Sequence, residues 1–247
     1  MPLSSSRSPL PQAAARRFDG SLFKDEVFSD LVELLLDLTP GTKLPSEREL
    51  AETLGVSRTA LRDRISRLES LGVLDRKERA GTFYIGATPE TLSDGLLLSM
   101  LASELTFSSL VSVRRALERQ AAIEAATRAT QTDLEALRET VNRMSGTDAE
   151  NALFEADRDF HSALFTASHS AGLIFFSRML ERALAGTLQL VTLAHQRNRL
   201  RSVHHDIAEA LDLRDPAAAA DAMDAHFSWL DELYASQPAL EVAGPTA

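Results

Sequence analysis

"GTKLPSERELAETLGVSRTALRDRISRLESLGVLDRKERAGTFYIG", residues 41–86, decides the first half of the fold. Within it, "SERELAETLG" opens on Ser46 with Glu49 three residues on, the reciprocal capping pattern that starts a helix. Gly55 supplies the residue type that ends one in the left-handed conformation. Two residues later Ser57 caps again, and "RTALRDRISRLESLG" runs on as a helix to Gly72. Two short capped helices joined by a tight glycine-containing turn make a helix-turn-helix. Val73 and Leu74 follow, then a charged turn ending in Gly81, then β-prone Thr82, Phe83, Tyr84 and Ile85. That order predicts a β-hairpin, the wing of a winged helix.

Upstream, "SLFKDEVFSDLVELLLDL" repeats Leu22, Phe23, Val27, Leu31, Leu34, Leu35 and Leu38 at helical spacing, so regular structure is expected from near Phe18. Pro40, Gly41 and Pro45 stop it. The charges sort with the motif. Between Val56 and Thr82 stand Arg58, Arg62, Arg64, Arg67, Arg76, Lys77 and Arg79 against Asp63, Glu69, Asp75 and Glu78, a basic excess inside a chain of net charge −10. Phosphate neutralisation needs such a local excess, and the second helix would lay its N-terminal end in the major groove. A solvated helix face would explain the arginines alone, but not caps, turn and wing together.

Composition narrows the rest. At 247 residues and 44% apolar, the chain can bury two modest cores, and 6% aromatic with abundant Ala and Leu leans to helix. The absence of cysteine excludes disulfides and thiolate metal sites and fits a cytoplasmic location. Apolar runs such as "GLLLSMLA" fall far short of the roughly 20 residues of a membrane span, so no membrane partner is expected. The Ser- and Pro-containing start "MPLSSSRSPLPQAAARR" lacks an apolar signal core and is expected to be a disordered leader. The expected organisation is a leader over 1–17, a winged helix-turn-helix domain over 18–87, a helical domain over 88–237 and a disordered tail over 238–247. The expected fold class is mostly α.

From Thr88 onward no strand signal appears. Six or seven segments of 3.6-residue apolar periodicity, separated by Ser, Thr or Asp caps and Gly or Pro breaks, predict an all-α bundle. No Gly-rich phosphate loop, nucleophile elbow or zinc-protease motif occurs, so no catalytic residues and no enzyme are expected.

The six histidines carry the chemistry: His161, His169, His195, His204, His205 and His226. Asp157 and His161 lie one helical turn apart in "FEADRDFHSALF", whereas Asp159 lies about 200° around the helix from Asp157. His204 and His226 open and close a helix pair, "HHDIAEALDLRDPAAAADAMDAH", whose short "RDP" turn would bring the two together. Ile207 and Leu211 continue the stripe of His204, and His205 falls about 100° off it. One carboxylate and three imidazoles suit a borderline divalent ion such as Zn²⁺, Ni²⁺ or Mn²⁺, with positions left open for water or a carboxylate. Spacing alone leaves four unrelated structural residues as the alternative. Such a site would also allow a metal-sensing role, or metal-activated hydrolysis, though a hydrolase would have no use for a DNA-binding head.

Both halves resemble known families. "GTKLPSERELA", "GVSRTALR" and the wing glycine are similar to the winged-helix domain of the GntR family of bacterial transcription regulators. The resemblance implies DNA contacts by Arg48, Arg58 and Arg62, with Thr59 and Gly81 approaching the backbone and Ser57 as the cap at the docking end. Ala60 stands where Pro or Thr is more frequent. "VRRALERQAAIEAA", "DRDFHSAL" and the paired final histidines resemble the helical FCD ligand-binding domain of the FadR subgroup over most of residues 91–236. That implies metal ligation by Asp157, His161, His204 and His226 inside an effector pocket. It also implies that Arg114 faces a small organic acid, the alternative for Arg114 being a salt bridge to Glu118 one turn on. His169-Ser170 replaces the Gly-Asn pair of many relatives. A homodimeric repressor on a palindromic double-stranded operator is the implied function.

Overall fold

Asp25 starts the first helix by accepting a hydrogen bond from the Phe28 amide, and α1 runs Glu26–Leu36. The computed structural model describes residues 23–86, 88–103, 107–184 and 196–235. The expected leader, the expected tail and His195 lie outside the described residues. The helix begins later than the apolar spacing suggested. Phe23 precedes the cap and packs edge-on against Phe28 with ring centroids 5.0 Å apart. A capping carboxylate, not the first apolar residue of the periodic run, sets the boundary.

The two capped helices follow. Ser46 Oγ accepts from the Glu49 amide while the Glu49 carboxylate accepts from the Ser46 amide, and α2 spans Glu47–Leu54. Gly55 ends it at φ +67°, a left-handed conformation that costs a glycine little. Ser57 Oγ takes the Ala60 amide to start α3, Arg58–Ser70. The wing is an antiparallel pair, β1 Leu74–Lys77 and β2 Gly81–Tyr84, in register Leu74 to Tyr84. Residues 41–44 line its other edge: the Leu44 amide donates to the Thr82 carbonyl and the Tyr84 amide to the Thr42 carbonyl, each at 2.8 Å. Gly81 has φ +109°, and a β-carbon there would stand 2.8 Å from Lys43 Cε. Phe28, Leu31, Leu35, Leu50, Leu61, Ile65, Leu68 and Leu74 form the buried core of this unit.

The chain divides into two compact units between Leu92 and Ser93, within α4, Pro89–Ala102. A six-helix bundle follows: α5 Phe107–Arg128, α6 Gln131–Ser145, α7 Glu150–Ala167, α8 Ala171–Leu184, α9 Arg197–Asp212 and α10 Pro216–Ala235. α5 is central, packing on α7, α8, α9 and α10. Its buried Ala121, Ala122, Ala125 and Ala126 keep that helix face small, which permits close helix approach. The α9–α10 turn is fixed by Arg214 at φ +57° and by Asp215, whose carboxylate caps the Ala217 and Ala218 amides. No helix of the described residues is long and apolar enough to cross a membrane.

Candidate functional site

The hairpin of α9 and α10 brings His204 and His226 together, with ring centroids 4.9 Å apart. His161 on α7 completes the cluster, at 5.4 Å from His204 and 5.1 Å from His226. Each ring offers one nitrogen, and the three nitrogens all lie within 4.8 Å of one another. All three residues are buried. Asp157 adjoins two of them: its Oδ1 is 3.0 Å from His204 Nε2 and 3.6 Å from His161 Nε2, while the two Nε2 atoms are 3.4 Å apart. Metal–nitrogen bonds of about 2.0–2.1 Å at the tetrahedral angle place neighbouring donors about 3.3 Å apart. The spacing here is that of atoms converging on a common point. Asp157 Oδ1 makes no aligned hydrogen bond despite these short distances.

Proton placement favours the same point. His204 Nδ1 donates to the Leu200 carbonyl at 2.7 Å, which in the neutral ring leaves the Nε2 lone pair facing the cluster. His226 is fully buried, and neither ring nitrogen has a hydrogen-bond partner. A neutral imidazole carries one N–H and one lone pair, and stranding both costs on the order of 1–3 kcal/mol each. A metal ion would satisfy the lone pair. Phe160 stands edge-on to His161 and His204, and Phe227 to His226, so the cluster has aromatic walls.

Behind the imidazoles lies an ion-pair chain that the sequence only half shows. Arg114 Nε donates to Glu118 Oε1 at 2.6 Å, and Glu118 Oε2 is 2.8 Å from His161 Nδ1. Arg114 and Glu118 are both buried. The one-turn Arg114–Glu118 pair is therefore present. Glu118 was legible as a partner for Arg114 but not as a neighbour of His161, because that contact joins α5 to α7.

Charges follow from these contacts. Burial alone would raise Asp157, but the close approach of His161 and His204 to its carboxylate outweighs it and holds the carboxyl well below its usual range. Burial is likewise outweighed at Glu118 by Arg114 and His161, so it too is lowered. Glu118 and Asp157 raise His161 against the opposing effect of burial. His226 is driven well below the ordinary imidazole value, first by burial and then by its neighbours. The result is an anionic Asp157 and a neutral His226, the ligand forms of both.

The remaining polar candidates stand elsewhere. Asp159 pairs with Arg143 at 3.0 Å, and exposed His205 lies beside Asp206. His169 sits at φ +49° with Nε2 2.8 Å from Asp133. A surface depression lined by Asp133, Ala136, Asp159, Ser162, Ala163 and Thr166 opens between α6 and α7, and its lining includes none of His161, His204 and His226.

In the first unit Arg58 and Arg62 stand one turn apart on the exposed side of α3, with exposed Thr59 between them. Ser57 Oγ is committed to its cap. Arg48 pairs with Glu52 at 2.9 Å and Arg62 with Glu47 at 2.5 Å. Glu47 lies just outside the window over which the sequence shows its basic excess. The arginines thus meet acids that a count along the chain does not assign to them.

Residues 23–83 match the bacterial regulatory proteins of the gntR family, and residues 109–228 match the FCD domain. The HTH-type transcriptional regulator LutR of Bacillus subtilis (strain 168) is 30% identical over 204 residues, covering 80% of this chain and 93% of the relative. A regulatory protein assigned to the L-lactate dehydrogenase operon of Escherichia coli (strain K12) is 32% identical over 219 residues, covering 83% and 84%. The solved structure of a Streptococcus agalactiae GntR protein superposes with a TM-score of 0.63 at 25% identity, covering 83% of this chain and 97% of that one.

Proposed function

The chain belongs to the GntR family of bacterial regulatory proteins and carries an FCD domain, and from that premise we propose that a small organic acid, bound at a divalent ion in the bundle, controls operator binding by the winged helix. DNA-binding regulation is the class of the family. The observation that carries the finer reading is the buried His161, His204 and His226 cluster beside an anionic Asp157. Three imidazoles and one carboxylate fit Zn²⁺, Ni²⁺ or Mn²⁺ and leave coordination positions for a ligand. A 2-hydroxy acid can fill two of them through its carboxylate and hydroxyl oxygens. The relative assigned to an L-lactate dehydrogenase operon makes short hydroxy acids the first class to try. Arg114 would pair with the acid's charge through the guanidinium edge that Glu118 does not take.

In this reading the protein is a FadR-subgroup repressor, acting as a homodimer on a palindromic duplex. One winged helix reads only a few base pairs, so specificity needs two half-sites. The acid must bind the DNA-released state more tightly than the DNA-bound one. A thermal-shift screen of L-lactate and related acids, with and without Zn²⁺, Ni²⁺ or Mn²⁺, tests the coupling. Stabilisation by acid only when metal is present is the expected result. Metal that shifts operator affinity with no acid effect would instead identify the ion as the effector.

Two predictions follow from the assigned residues. Arg58→Ala and Arg62→Ala are each expected to weaken specific operator binding by about 1–3 kcal/mol, as loss of a guanine contact does, while leaving metal content unchanged. Gel-shift titration at fixed salt checks this, and parental affinity in both variants would remove these arginines from the reading surface.

Metal affinity is expected to fall on acidification. His161 is raised above its ordinary value of about 6.5, so it binds a proton that the ion must displace. His226 is lowered and contributes no such proton in that range. Below about pH 6.5 the affinity should drop at least tenfold per pH unit, with one or more protons released per ion. Calorimetry in two buffers of different ionisation enthalpy measures that number, and a value of zero would contradict the assigned ligand set.

A further inference from the structure

Glu47 is the first residue of α2, and its side chain is only 25% exposed. Its carboxylate meets two guanidiniums from distant parts of the winged helix. Oε2 is 2.5 Å from Arg62 Nε on α3, and Oε1 is 3.7 Å from Arg76 Nη2 on β1. Arg76 Nε is in turn 3.8 Å from Glu69 Oε2. One carboxylate therefore joins the first helix of the motif, the recognition helix and the wing. Partly exposed ion pairs contribute little to stability, and an acid at a helix N-terminus is already favoured there without a distant partner. The information in this contact is geometric.

A guanidinium is a planar fork of five donors. Glu47 takes the Nε edge of Arg62 and leaves the Nη1/Nη2 end to other acceptors. We propose that Glu47 is a positioning residue for Arg62: by holding the Nε edge it fixes the plane and direction in which the free end meets a base. The partner with matching chemistry is guanine, whose N7 and O6 offer two acceptors on the major-groove edge. Glu47 has a second effect of opposite sign. Its charge offsets Arg62 and Arg76, and so weakens their attraction to phosphate at any sequence. Sequence preference rises and non-specific affinity falls through the same carboxylate.

This inference rests on the reading of Arg62 as a base-contacting residue, and the test separates the two. Full-length parent, Glu47→Ala, Arg62→Ala and the double variant are each used to select duplexes from a random-sequence pool. Binding to a duplex of unrelated sequence is titrated across salt. Asp30→Ala, which removes an equal charge from the exposed side of α1, serves as the charge control. Arg62→Ala is expected to erase preference at one guanine position per half-site. Glu47→Ala should weaken preference at that same position about tenfold while binding unrelated duplex as tightly as the parent or more so. The double variant should match Arg62→Ala, and Asp30→Ala should keep the full preference.

If Glu47→Ala keeps the parent's preference at the Arg62-dependent position, the positioning role is wrong and the reading of Arg62 stands. If its losses fall at positions that Arg62→Ala leaves intact, the role is again wrong. If Arg62→Ala alters no position, both fail together.

Discussion

His226→Ala is expected to leave the purified chain without bound metal, while His205→Ala keeps the parent's content. The two residues differ in what surrounds them. His226 is fully buried with both ring nitrogens unpartnered, whereas His205 is exposed beside Asp206. Removing one of three converging imidazoles takes away one metal–nitrogen bond, and the weaker set of two nitrogens and Asp157 should lose its ion during purification. The effect should also appear as lost stabilisation. At an ion concentration a hundredfold above the parent's dissociation constant, binding adds about 2.7 kcal/mol, and His226→Ala should gain almost none of it. Elemental analysis of protein purified without a nickel column, followed by melting with added Zn²⁺, measures both. Metal retained at parental stoichiometry in His226→Ala, or lost from His205→Ala, would overturn the assignment.

Glu118→Ala is expected to destabilise the bundle by about 3–5 kcal/mol, the usual cost of removing one partner from a buried ion pair. Arg114 would be left buried and charged without the carboxylate that it meets at 2.6 Å. His161 would lose its neighbour at Nδ1, so metal affinity should fall a further 10–100-fold, as when the outer partner of a ligating imidazole is removed. Urea unfolding of the metal-free chain reads the first effect and metal titration the second. If Glu118→Ala does not fold, Arg114→Met combined with Glu118→Leu removes both charges and should restore folding without restoring full metal affinity. A loss under about 1 kcal/mol in Glu118→Ala would mean that the Arg114 charge finds relief elsewhere.

Much of this architecture is written in local sequence pattern. Asp157 and His161 share a helix face because four residues make about one turn, and burial of His204 but not His205 follows the stripe through Ile207 and Leu211. Ser46, Gly55 and Ser57 act locally, so their caps and turn could be read from neighbours in sequence. Contacts between elements were not legible in this way. Glu118 reaches His161 across 43 positions and Glu47 reaches Arg62 across 15, and nothing in either local pattern announces the partner. That Asp157 adjoins two of the three imidazoles depends on helix placement at the ångström scale, which periodicity does not fix. The late start of α1 shows a different limit: an apolar run marks a buried face, but the capping Asp25 decides where the helix begins.

The bond from His204 Nδ1 to the Leu200 carbonyl lies within a single helix. His204 therefore acquires its orienting partner as soon as α9 winds. His161 does not, because Glu118 reaches it only once α5 has docked against α7. As metal ligands the two would be oriented differently, one by a contact inside its own helix and one by a contact between helices. In the proposed metal site, ion uptake would then report on helix docking. A chain that held an ion tightly at this cluster would, by that fact, already have seated its central helix.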